Sequence, residues 1–188
     1  MTGEPPTAAP ETASLGHARS LVLVHTGDGK GKSTAAMGVA LRARARGWRV
    51  LVVQFVKSGD WRAGEQEMLQ RLGADWLAAG DGFSWDSDDL EASAGLARQA
   101  WAAARAALAG GTHELVVLDE VTYPMTWGWI DTHDVVATIA GRDERVSVVA
   151  TGRDAPPALV EVADTATEMR NLKHAFEAGL LAKRGIDF

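Results

Sequence analysis

The 188-residue sequence contains no cysteine. Disulfides, cysteine-ligated zinc and cysteine-held iron–sulfur clusters are thereby excluded, and the composition is compatible with the cytosol. An excess of basic charge is also missing. Lys and Arg number 19 against 25 Asp and Glu, a formal net charge of −6, so a broad nucleic-acid surface is not expected. No apolar run approaches the length of a membrane span, and the expectation is a cytoplasmic protein without a membrane partner. Met1 to about Gly16 carries Pro, Thr, Ala and Glu, but neither the basic nor the apolar region of a signal peptide. Residues 1–18 therefore read as a flexible tail ahead of one domain, 19–188. Its length and the 46% apolar content suit a single substantial core.

What the chain does have is a glycine-rich loop. Gly27-Asp28-Gly29-Lys30-Gly31-Lys32-Ser33-Thr34 follows the apolar run Leu21 to Val24 and precedes an alanine-rich helical pattern. Strand, loop, helix is the order a phosphate cradle needs. Glycines let several backbone N–H groups curl toward one anion, and the helix adds its positive end. Lys32 supplies a mobile cation, and Ser33 a hydroxyl able to ligate Mg²⁺. The end of the loop fits the pattern G-x-x-x-x-G-K-[ST], but Thr26 stands where its first glycine belongs.

Around this loop the sequence alternates strands and helices. Strands are predicted at Leu21–Thr26, Arg49–Val56, Ala74–Ala78, Glu114–Asp119, Arg145–Ala150 and Ala163–Met169. Helices are predicted from Lys32 to Arg46, burying Ala36, Met37, Ala40 and Leu41, and over Glu65–Leu72, Asp88–Leu108, Thr132–Ala140 and Pro157–Val162. Asp88 and Glu91 have the spacing of a cap on the long helix, and Trp101 faces its core. A last helix is expected on the stripe Leu172, Phe176 and Leu180, while Thr122 to Trp129 reads as a turn. The architecture implied is α/β: a doubly wound, mainly parallel sheet with helices on both faces, like the P-loop NTPases of the RecA-like kind.

Ligands of such sheets sit at the carboxyl ends of strands. Gln54 and Lys57 stand at one such end, either facing a site or as a solvated strand terminus. Asp119-Glu120 closes the apolar run Leu115 to Leu118, as acids that hold Mg²⁺ near the loop hydroxyl do. Arg153 follows the next strand and is placed to neutralise phosphate or to pair at the surface. Phe83 and Trp85 lie in the polar loop Gly80 to Asp86, as a hydrophobic plug or as an apolar wall for a flat ligand. His25, His133 and His174 show no convincing metal spacing; His25 is expected to be packed or hydrogen-bonded at its strand.

Several of these motifs occur together in one family. Val24 to Thr34, Val53-Gln54-Phe55-Val56-Lys57, Gly82-Phe83-Ser84-Trp85, Val117 to Tyr123, Thr151-Gly152-Arg153, Glu168-Met169-Arg170 with Lys173-His174, and the closing Lys183 to Phe188 resemble the cob(I)alamin (corrinoid) adenosyltransferases. Asp28 stands where Asn is usual and Ser33 where Thr is usual. The resemblance implies transfer of the 5′-deoxyadenosyl group of ATP to a corrinoid reduced to Co(I), with release of triphosphate and with Mg²⁺ or Mn²⁺ present. It implies catalytic roles for Lys32, Phe83, Trp85, Glu120 and Arg153. It also implies nucleotide contacts from Thr26, Gly27, Asp28, Gly29, Lys30, Gly31, Lys32, Ser33, Thr34, Gln54 and Lys57. Metal contacts would come from Ser33, Asp119 and Glu120. In the family, aromatics matching Phe83 and Trp85 displace the lower axial ligand of the corrinoid. A flavoprotein electron donor and a homodimer are implied as well, with Trp127 and Trp129 as candidate interface residues. A P-loop small-molecule kinase or ATPase is the alternative.

Overall fold

The computed structural model describes residues 12, 14–56, 63–79 and 90–187. Six strands form one sheet: β1 (Val22–Thr26), β2 (Val50–Gln54), β3 (Asp75–Ala78), β4 (Leu115–Asp119), β5 (Ser147–Thr151) and β6 (Thr165–Glu168). Their spatial order is β3-β2-β4-β5-β1-β6, and every described pairing is parallel. Parallel neighbours need crossovers, and these are the helices α1 (Lys32–Ala45), α2 (Gly64–Arg71), α3 (Leu90–Gly110), α4 (Thr122–Thr126), α5 (Thr132–Ala140) and α6 (Pro157–Glu161).

The two faces of the sheet bury different side chains because successive strand residues point in opposite directions. On β4, Leu115 and Val117 join Ala36, Met37, Ala40 and Ala43 of α1 and Leu69 of α2. Val116 and Leu118 join Trp101 and Leu108 of α3, Ile139 of α5 and Leu159 of α6. Strands covered on both sides read as unbroken apolar runs, and β2, β4 and β5 do so. Trp101 is buried as expected, and its indole N–H donates to Asp134 Oδ2 at 2.7 Å, tying α3 to α5.

Three local expectations change. Leu41 is exposed and Ala43 takes its place, because α1 lays a narrow alanine seam on the sheet and Leu41 falls beside it. Thr122–Thr126 is a short helix rather than a turn. The expected last helix is reduced to the 3₁₀ turn Phe176–Ala178. Leu172 and Phe176 are 87% and 71% exposed, and Gly179 follows with a left-handed φ of 76°. An apolar stripe of helical period forms a helix only where a surface receives it, and none of the described layers packs on this one. Asp88, expected to cap α3, lies outside the described residues.

Candidate active site

The glycine-rich loop lies at the carboxyl end of β1, where β5 and β6 flank it. Gly31, at φ 107°, is the residue before α1 and has no side chain with which to cap the helix. The first-turn N–H groups of α1 thus open toward a cavity of about 310 Å³ lined by the loop from Asp28 to Thr34. An uncapped helix start with a glycine loop in front of it is an anion site.

The glycines have a further reason to be there. Gly29 N–H donates to the Met169 carbonyl at 2.6 Å, and Met169 N–H donates to the Thr26 carbonyl at 2.8 Å. The chain leaving β6 therefore runs directly along the loop. A Cβ on Gly27 or Gly29 would collide with the Met169 backbone. The alternating glycines serve close backbone approach as well as curvature. In the sequence, Glu168-Met169-Arg170 is marked only by the family resemblance.

Lys32 folds over its own loop, its ammonium donating to the Gly27 and Gly29 carbonyls at 2.6 and 2.7 Å. Burial lowers its pKa, the Arg153 charge lowers it further, and Asp28 and Glu120 act the other way. Arg153 lines the same cavity and approaches Asp28, Nε to Oδ1, at 3.9 Å. This pair is largely exposed, so it orients Arg153 weakly. Lys30 pairs with the Asp187 carboxylate. That carboxyl is held below its ordinary value first by the Lys183 backbone N–H and then by Lys30.

The acidic pair divides in two. Asp119 is fully buried; its Oδ2 accepts from Gln54 Nε2 at 3.0 Å and its Oδ1 from Thr151 Oγ1 at 2.8 Å. It is absent from the cavity wall, and Gln54 reaches Asp119 rather than the cavity. Glu120 turns the other way, at a left-handed φ of 63°, and lines the same cavity as the loop. Its N–H donates to Thr151 Oγ1 at 2.9 Å. A non-glycine residue in this region is strained and persists only where neighbours over-determine it. Thr26 lies behind the loop, its Oγ1 accepting from Ala155 N–H at 3.1 Å.

The structure thus brings Lys30, Lys32, Ser33, Thr34, Glu120 and Arg153 around one cavity. Lys57, Phe83 and Trp85 lie outside the described residues. Among the described residues no three His, Cys, Asp or Glu side chains cluster as a metal cage. Hard oxygen donors are nevertheless present in Ser33 and Glu120, the kind Mg²⁺ takes when phosphates complete its shell. His25 is packed, 8% exposed, with neither ring nitrogen hydrogen-bonded among the described residues, and burial lowers its pKa.

Sequence reasoning assigned no role to three neighbours. Tyr123 is half-buried in the cavity wall, with its phenol pKa raised by burial and then by the Glu120 charge. It stacks on Trp127 at 5.4 Å, and Trp127 meets Trp129 edge-on at 4.7 Å. Asp187 closes another side. Thr151 organises the acidic pair from behind. The available signal for Thr151 was a lone hydroxyl residue ending an apolar strand.

A family model described as ATP:corrinoid adenosyltransferase BtuR/CobO/CobP matches residues 18–188. The corrinoid adenosyltransferase of Escherichia coli K12 is 39% identical over 170 residues, covering 90% of this chain and 86% of its own length. That of Pseudomonas aeruginosa is 41% identical over 172 residues, covering 90% and 84%, and that of a Sinorhizobium species 36% identical over 174 residues, covering 90% and 81%. With a glycine loop, acidic turn and arginine turn converging at one end of a parallel sheet, and this match over nearly all of its length, the chain belongs to the ATP:corrinoid adenosyltransferase BtuR/CobO/CobP family.

Proposed function

We propose that this transferase moves the 5′-deoxyadenosyl group of ATP onto the Co(I) centre of a reduced corrinoid, in adenosylcobalamin biosynthesis or salvage. In that reaction the cobalt electron pair attacks C5′ of the ribose, a cobalt–carbon bond forms, the C5′–O bond breaks, and triphosphate leaves with those electrons. The observation that carries the reading is the family match over residues 18–188. The cation-lined phosphate cradle supports it chemically.

The nucleophile belongs to the substrate, so the protein needs no Ser, Cys or His nucleophile. Its own residues must hold the polyphosphate and meet the charge that grows on it as the C5′–O bond breaks. The N–H groups at the start of α1, Lys30, Lys32 and Arg153 are the groups for that task. Lys32 exchanges its two loop carbonyls for phosphate oxygens. Ser33 and Glu120 would hold Mg²⁺, with buried Asp119 fixing the turn behind them. Bound there, the ion would neutralise phosphate charge. Phe83 and Trp85 are proposed to exclude water and the lower axial base from the corrinoid. A flavoprotein donor, a homodimer and a separate tail over residues 1–18 belong to the same proposal.

The test mixes the protein with ATP, Mg²⁺ and chemically reduced cobalamin and identifies the phosphorus product. Triphosphate with a light-sensitive alkylcobalt species is the expected result. ADP and phosphate would place the chain with P-loop kinases or ATPases instead.

A further inference from the structure

Two turns at the sheet's carboxyl edge are joined by the side chains of Thr122 and Thr151. The first turn, Asp119 to Thr122, follows β4; the second, Thr151 to Arg153, follows β5. Thr122 is fully buried, and its hydroxyl donates to the Arg153 carbonyl at 2.6 Å. Thr151, also fully buried, donates to Asp119 Oδ1 and accepts from Glu120 N–H. Gly152 sits between them at φ 142°, and a Cβ there would strike Thr122 Oγ1. The turns are therefore interlocked at each end, and the space between them is filled by a threonine hydroxyl.

The consequence is on the cavity wall. Glu120 and Arg153 are the two charged residues that these turns present to the cavity beside the loop. Neither position comes from local preference: Glu120 is left-handed, and so is Asp154 immediately after Arg153, at φ 51°. The Arg153 side chain is more than half exposed, and its ion pair among the described residues is the long 3.9 Å contact to Asp28. Its backbone is thus the part that the fold holds. A guanidinium that must meet phosphate oxygens depends on where its Cα is placed.

We propose that Thr122 is a positioning residue for phosphate binding, acting through Arg153, with Thr151 holding the opposite turn in register. The inference rests on the reading of this cavity as a polyphosphate site. A hydroxyl bond to a backbone carbonyl sets the position of the arginine without touching the ligand. Coupling of this kind is non-additive, since removing the arginine leaves the hydroxyl nothing to position.

The experiment is calorimetric titration of inorganic tripolyphosphate with Mg²⁺ into the full chain and its variants, beside a thermal melt of each. Thr122→Val should weaken binding about tenfold, Arg153→Ala by at least as much, and Thr122→Ser should restore binding to within about twofold of wild type. In an Arg153→Ala background, Thr122→Val should cause no further loss. A full additional loss in that background overturns the inference, as does wild-type binding by Thr122→Val or by Arg153→Ala. Should Thr122→Val fail to fold, Thr122→Ala and Thr122→Ser complete the same cycle. A wild-type chain that does not bind tripolyphosphate overturns the site reading, and this inference with it. Binding by wild type with an unchanged Thr122→Val overturns the positioning role alone.

Discussion

Beside Glu65 of α2, the cavity is bounded by two walls of different kinds. One is the carboxyl edge of the sheet, where β1, β4 and β5 end in the glycine loop, Asp119-Glu120 and Thr151-Gly152-Arg153. The other is the segment after β6, which contributes Ala182 and Asp187 and holds only the 3₁₀ turn Phe176–Ala178 as regular structure. The first wall is anchored from behind by buried, cross-bonded residues, with Asp119, Thr122 and Thr151 fully enclosed. The second is exposed, with Leu172, Leu181 and Ile186 largely in solvent. Chemistry that requires fixed positions falls on strand ends, which the sheet immobilises. The second wall touches the cradle at its start, through the Met169 backbone bonds to the loop, and near its end through the side-chain pair Lys30–Asp187.

The difference can be broken most sharply at Lys32. Lys32→Ala should lower ATP-dependent turnover by about 10³-fold, the order seen when a donor to developing charge is removed. Assay of the released phosphorus product checks it; retained activity would take the loop out of the mechanism. Thr151→Val tests the rigidity of the same wall. It removes the Thr151 hydroxyl bonds to Asp119 Oδ1 and to the Glu120 N–H. A loss of about 2 kcal/mol in denaturant unfolding is expected, because Asp119 is fully buried and the Glu120 N–H partly so.

His25 lies behind this wall, and its effect is smaller. Burial lowers its pKa below the ordinary 6.5, so the folded protein keeps the ring neutral while the unfolded chain still binds a proton. Stability from this source is complete above 6.5 and declines as pH falls through the window below it. His25→Phe should flatten that part of the stability profile measured by urea unfolding. An unchanged slope would show that His25 does not titrate differently on folding.

The second wall should respond least. Asp187→Asn removes a partner of Lys30, and tripolyphosphate affinity should rise by about twofold or less, as for an exposed ion pair. A decrease would mean that Asp187 assists binding. Leu172→Ala should leave unfolding stability within about 0.5 kcal/mol of wild type. A larger loss would show that the segment is packed more firmly than its exposure implies.

The same contrast separates what could be read from residue order and what could not. The strand–loop–helix of the cradle, the apolar run into Asp119-Glu120, and α5 at Thr132–Ala140 were legible, because each is a local pattern with a local cause. The stripe Leu172, Phe176, Leu180 had equally good periodicity and failed, since periodicity names a face but not a surface to receive it. Leu41 was misplaced for a related reason: two adjacent stripes on α1 are apolar, and only the sheet selects the alanine one.

For the site, residue types alone specified the chemistry available: glycines and a lysine for phosphate, acids for a cation, an arginine after a strand. They placed Gln54 as a nucleotide contact and Asp119 and Glu120 together as metal contacts, without telling which of the three reach the cavity. Folding distinguished them, because β2, β4 and β5 are neighbours only in space. Gln54 and Asp119 pair side by side in that register, and Thr151 arrives from residues far along the chain to hold Asp119 and the Glu120 backbone. Hydrogen-bond partners more than thirty residues apart leave no periodic trace, so their assignment comes from the parallel pairing of the strands and nothing shorter in range.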